Sequence, residues 1–125
     1  MRHIPIFIAL AASIAAAAHA APATLEGSWR GTGIVTYARG ADRVDCRVRY
    51  TRGGAGRYLV TSHCATESGR YDLSGAVVSV GGHRYTGFVG SGGQRGRVAL
   101  VQRGDRLEVT VTSRRGTARL SLTRS

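Results

Sequence analysis

The sequence predicts an all-β domain: a small eight-stranded antiparallel up-and-down β-barrel with one disulfide. Three observations predict it. After residue 21 no segment carries a helical period. Short stretches of alternating apolar and polar residues recur instead, at roughly 8–12-residue spacing, which argues a sandwich or a barrel. Every link between them is short enough for a hairpin, so a meander is favoured over a topology with long crossovers. Closing such a meander removes its exposed edges.

Eight strands are drawn, over 27–37, 43–51, 57–65, 69–79, 83–89, 95–102, 105–112 and 116–123. The first follows Pro22 and opens on Gly27-Ser28-Trp29; it ends at the turn signal Arg39-Gly40-Ala41-Asp42. In the second, Val44, Cys46, Val48 and Tyr50 oppose Arg43, Asp45, Arg47 and Arg49, giving one dry and one wet face. The third lies between Gly53-Gly54-Ala55-Gly56 and Glu67-Ser68, and the fourth runs to Gly81-Gly82. The fifth ends at Gly90-Ser91-Gly92-Gly93 and the sixth at Arg103-Gly104. In the seventh, Leu107, Val109 and Val111 oppose Arg106, Glu108, Thr110 and Thr112. The eighth follows Arg114-Arg115-Gly116 and sets Ala118, Leu120 and Leu122 against Thr117, Arg119, Ser121 and Thr123.

The two cysteines test this drawing, in which a bulge in the Gly-rich turn would shift the register by one. A second hairpin centred on Ala55 sets Tyr50 opposite Val60, Val48 opposite Ser62 and Cys46 opposite Cys64. Both sulfurs then lie on the inner face at directly opposed positions, where a cross-strand disulfide is geometrically possible.

The start of the chain reads as an address. Arg2 and His3 precede an apolar run from Ile4 to Ala18, which ends in Ala18-His19-Ala20. This is the pattern of a secretory signal peptide over residues 1–20, cut before Ala21. It leaves a single β-barrel domain, 21–125, without a transmembrane span, in the periplasm or outside the cell. An even pair of cysteines suits an oxidising compartment. The balance is strongly basic, with a formal net charge of +11, and all eighteen basic side chains are arginine. Such a charge favours polyanions. The arginines are spread along the chain rather than gathered in a run, which is also the pattern of a solvated barrel surface.

Several stretches together resemble a group of small exported proteins of alphaproteobacteria: Gly27-Ser28-Trp29-Arg30-Gly31-Thr32-Gly33, Arg43-Val44-Asp45-Cys46-Arg47-Val48-Arg49-Tyr50, Cys64 and Tyr71-Asp72-Leu73-Ser74-Gly75. That resemblance implies export, a paired-cysteine hairpin and an all-β fold, and it brings no catalytic residues. Gly27-Ser28-Trp29 is also similar to the G-x-W of the lipocalin and avidin barrels, the calycins. There the Trp closes one barrel end and a late arginine packs across it, which implies that part for Trp29 with Arg119 or Arg124. Bacterial metalloprotease inhibitors of the same shape share G-x-W and a disulfide. Their inhibiting element is the N-terminus, which corresponds to Ala21-Pro22-Ala23-Thr24-Leu25 here.

No catalytic set assembles. His63 falls on the face opposite Cys64 and His83 at a hairpin turn, so no metal site and no cofactor are expected. Asp42, Glu67 and Asp105 sit at turns, Asp45 and Glu108 lie on arginine-crowded wet faces, and Asp72 points outward. No acid–base pair and no G-x-S-x-G elbow stands out. One surface joins aromatic and basic residues, at Arg49, Tyr50, Arg52, Arg57 and Tyr58, where exposed tyrosines would let bases stack. The leading expectation is a non-catalytic exported binding protein whose partner is a protein, in one version protease-inhibitor-like. The alternative is a carrier with a lipocalin-like cavity for a small apolar ligand, into which small inward residues such as Gly75, Gly87 and Ala118 leave space. A third is a binder of envelope polyanions or nucleic acid through the arginine surface.

Overall fold

Alternation of apolar and polar side chains runs the length of the chain and produces eight strands. The computed structural model describes residues 24–125. The segment expected to be a signal peptide, 1–20, lies outside the described residues. The strands are β1 (Gly27–Tyr37), β2 (Gly40–Arg52), β3 (Arg57–Thr66), β4 (Gly69–Gly81), β5 (Arg84–Ser91), β6 (Gln94–Arg103), β7 (Arg106–Ser113) and β8 (Gly116–Arg124). Each pairs antiparallel with the next, and β1 also pairs with β8, so the sheet closes as a barrel in sequence order. Most strands run a little further than their hydrophobic pattern indicates. β2 begins at Gly40, because Tyr37 and Gly40 still pair across the Ala38–Arg39 turn. Among the described residues no helix is long and apolar enough to cross a membrane.

The faces follow the period of two. Val44, Cys46, Val48 and Tyr50 of β2 are buried, while Arg43, Asp45, Arg47 and Arg49 are exposed. The β2–β3 register pairs Tyr50 with Val60, Val48 with Ser62 and Cys46 with Cys64. Cys46 and Cys64 form the disulfide, with a Cα–Cα distance of 4.1 Å. That separation fits a non-hydrogen-bonded antiparallel pair, whose α-carbons lie about 4.5 Å apart, better than the about 5.5 Å of a hydrogen-bonded one.

Glycines make two corners. A Cβ on Gly31 or Gly33 would run into the carbonyl oxygens of Ser121 or Arg119 on β8. Gly75 and Gly87 face the Phe88 and Ala76 carbonyls of the paired strand in the same way. β4 and β5 therefore approach more closely than side chains at these positions would permit, as glycine kinks in barrels do. This corrects one expectation: Gly75 and Gly87 are small because backbone approaches them, not to leave room inside. Gly87→Val is expected to cost about 1–3 kcal/mol through overpacking. The outward Thr86→Val, one residue away, should stay within about 0.5 kcal/mol. Urea denaturation of the two variants checks the difference.

Candidate functional site

The barrel has one sealed end, formed where β1, β3, β5 and β7 begin. Large inward side chains gather there: Trp29, Tyr58, Tyr85, Leu107 and Leu122 are all buried. The segment 24–26 supplies the plug. Leu25 is fully buried, and the Trp29 indole Nε1 donates to its carbonyl oxygen at 3.0 Å. Arg124 ties the plug down: its guanidinium donates to the Thr24 carbonyl at 2.6 Å and to the Glu26 carbonyl at 2.8 Å. The same group lies over the Trp29 ring, 4.3 Å from its centroid, and pairs with Asp105 at 3.3 Å. Gln102, buried on the inner face of β6, adds a bond from Nε2 to the Thr24 carbonyl at 3.2 Å. Arg119, the other arginine expected at this end, does not take that place. It is exposed on the outside of β8, paired in register with Ile34, because it falls on the wet face of the alternation.

The opposite end is open. A cavity of about 340 Å³ enters there and runs inward between the sheet walls. Val44, Val48, Val60, Val98, Val109 and Leu120 form much of its lining, together with both cysteines and Ala118. The mouth is more polar, with Tyr37, Thr66, Tyr71, Ser91, Gln94 and Arg115 around it. The rim is braced by Asp42, whose Oδ2 accepts from the Tyr37 hydroxyl at 3.1 Å and from the Ser68 hydroxyl at 3.0 Å. Burial, aided by the neighbouring Asp42 carboxylate, raises the Tyr37 phenol above its ordinary range. Among the described residues no acidic side chain lines the cavity.

The expected patch of arginine and tyrosine does not form as a stacking surface. Tyr50 and Tyr58 are only 3% and 5% exposed, because both lie on the dry face of their strands. Arg52 lies over the Tyr58 ring at 5.6 Å from its centroid, covering the barrel end. Arg49 donates to the Ser28 hydroxyl at 2.6 Å, and Arg57 is exposed. The rings needed for stacking are thus inside, and the cations outside. Elsewhere on the outer face, His63 Nδ1 lies 2.7 Å from Asp72 Oδ1 as an exposed cross-strand pair. His83 is exposed in the β4–β5 turn. Among the described residues no three His, Cys, Asp or Glu side chains gather as metal ligands, and Arg124 is the one arginine in an ion pair.

The cavity at the open end is the feature that alternation alone does not reveal. Its signal in the sequence is a drop in size at the middle of the inward faces: Trp, Tyr and Leu gather near the plug, Ser62 and Ala118 follow, and the larger Tyr37 and Tyr71 return only at the mouth.

A closed antiparallel barrel with one plugged end and one open cavity places the protein among the calycin-like barrels in shape. Solved structures agree. A de novo designed fluorescence-activating β-barrel superposes with a TM-score of 0.64 at 16% identity, covering 81% of this chain and 94% of that one. The designed barrel mFAP2b bound to DFHBI gives 0.67 at 9% identity, again covering 81% of this chain and 94% of its own. The redesigned barrel mFAP1 bound to DFHBI gives the same values. At these identities the likeness establishes the fold. No protein-family model matches the chain, and no curated protein matches it significantly. The resemblance to small exported proteins rests on the residues quoted for it.

Proposed function

We propose that this protein is an exported, non-catalytic carrier that holds one small apolar ligand in the open half of its barrel. The observation that carries the reading is the cavity itself: about 340 Å³, walled by aliphatic side chains and open at one end. That volume falls within the about 300–1,000 Å³ usual for small-molecule sites. Two designed barrels of the same fold are bound to the small molecule DFHBI, which supports use of the interior in this one. The disulfide supports export to an oxidising compartment, periplasmic or extracellular.

The protein-partner reading is the weaker of the two. Its inhibitory version needs residues 21–25 as a free element. Thr24 is held by Arg124 and Gln102, and Leu25 is buried in the plug. Releasing either would open the sealed end.

The carrier reading is tested with N-phenyl-1-naphthylamine, a neutral apolar dye. Saturable one-to-one fluorescence enhancement with the oxidised protein is expected. Ala118→Trp should fill the cavity and abolish the signal while leaving the unfolding midpoint near that of the parent. Enhancement that never saturates, or that survives the filling substitution in a folded variant, would overturn the reading.

A further inference from the structure

The carrier reading leaves the ligand's chemistry open, and the cavity floor narrows it. Tyr50 lines the cavity and is 3% exposed. Its hydroxyl makes no hydrogen bond to any described residue. Burial alone holds the phenol far above its ordinary pKa, so it remains a neutral O–H donor. Ser62 lines the same wall and is 7% exposed. Among the described residues its hydroxyl has one hydrogen-bond partner, the Cys64 sulfur at 3.2 Å. A disulfide sulfur carries no hydrogen, so Ser62 is the donor there, to a weak acceptor.

These two groups are neighbours. Tyr50 pairs with Val60, and Ser62 lies two residues further along the same inward face of β3. Diagonal positions of this kind stand about 7–8 Å apart at their α-carbons, within reach of one ligand group. Both are buried polar groups in an otherwise apolar wall, and buried donors are normally satisfied. Among the described residues no charged side chain lines the cavity at their level; Arg52, two residues on from Tyr50, covers the Tyr58 ring at the sealed end instead. The charged residues lining the cavity are Arg95 and Arg115, both beside the mouth turns. The Arg95 guanidinium is turned to the outside, 4.1 Å from the Phe88 ring centroid. An ionised oxygen at the floor would therefore be buried without a counter-charge, which is costly. A neutral oxygen would not be.

We infer that the ligand is an apolar molecule carrying a neutral hydrogen-bonding oxygen, carbonyl or hydroxyl, which enters first and is held at the floor by Tyr50 and Ser62. This rests on the carrier reading, and its test separates the two. The probes are 2-acetylnaphthalene and 2-isopropenylnaphthalene, near-isosteres that differ in C=O against C=CH₂. Calorimetric titration of the oxidised protein should show the ketone binding about threefold to tenfold tighter, the size of one neutral hydrogen bond. Tyr50→Phe keeps the ring and removes the hydroxyl. It should erase most of that preference, leave the hydrocarbon's affinity within about twofold, and with Ser62→Ala added erase the preference fully. Equal affinities for the two probes, or a preference unchanged in Tyr50→Phe, overturn the assignment while leaving the carrier standing. If neither probe binds, the carrier reading falls and this inference with it.

Discussion

Replacing Trp29 with alanine is expected to destabilise the barrel by about 3–5 kcal/mol, the usual cost of removing a large buried aromatic side chain. The residue is 1% exposed, so the loss is close to complete. Two further interactions go with it, and one of the residues they hold, Leu25, belongs to the plug. The indole N–H no longer satisfies the Leu25 carbonyl. The Arg124 guanidinium loses the ring beneath it. Leu25 loses the residue its backbone is bonded to, so the plug loosens. A domain of this size is stable by only about 5–15 kcal/mol, so the variant should be marginal at room temperature. Trp29→Phe keeps most of the apolar volume and should cost clearly less. Urea denaturation checks both, through the midpoint at unchanged slope. Because the cavity lies at the other end, Trp29→Phe should bind the naphthylamine dye with near-parental affinity. An alanine variant as stable as the parent would mean that the plug, not the Trp, seals the barrel.

Much of this fold is legible because side-chain direction in a strand has a period of two. The dry faces of β2, β7 and β8 are visible as Val44–Tyr50, Leu107–Val111 and Ala118–Leu122, and the meander follows from the short links. The hairpin centred on Ala55 brings Cys46 opposite Cys64, as the pairing shows. Alternation says which residues point inward, but it does not say how full the interior is at each level. Tyr50 and Tyr58 flank an arginine-rich loop and suggest a wet patch, yet their parity places both rings inside. Leu25 is a lone apolar residue ahead of the first strand, with no periodic partner to mark it as core. Its partners are tertiary: the Trp29 indole donates to its carbonyl, and Gln102, a polar residue at an inward position of an apolar face, bonds the neighbouring Thr24 carbonyl. Arg119 and Arg124 cannot be told apart by distance from the chain end. They stand five positions apart, an odd number, so they fall on opposite faces of β8, and only Arg124 reaches the plug.

Removing the disulfide, as Cys46→Ala with Cys64→Ala, is expected to cost about 3 kcal/mol. Loop closure of this length restricts the unfolded chain by that amount in the entropic account, and measured losses run about 2–5 kcal/mol. In a domain of about this size each kcal/mol moves the melting midpoint by about 4–8 °C, so a fall of about 12–24 °C is expected. Differential scanning calorimetry with and without a phosphine reductant makes the same comparison on the unaltered chain. Reduction should change nothing in the double-alanine variant, which separates cross-link loss from any other effect of the reagent. The bridge also bears on the site. Both sulfurs line the cavity, and Ser62, on the same wall, donates to one of them. Its loss should therefore weaken dye binding as well as stability, even at temperatures where the variant is fully folded. A stability loss with unchanged binding would make the bridge a staple for the β2–β3 hairpin alone. A loss of both would make it part of the cavity wall as well, and on the proposed reading would make ligand binding depend on an oxidising compartment, where such a bridge persists.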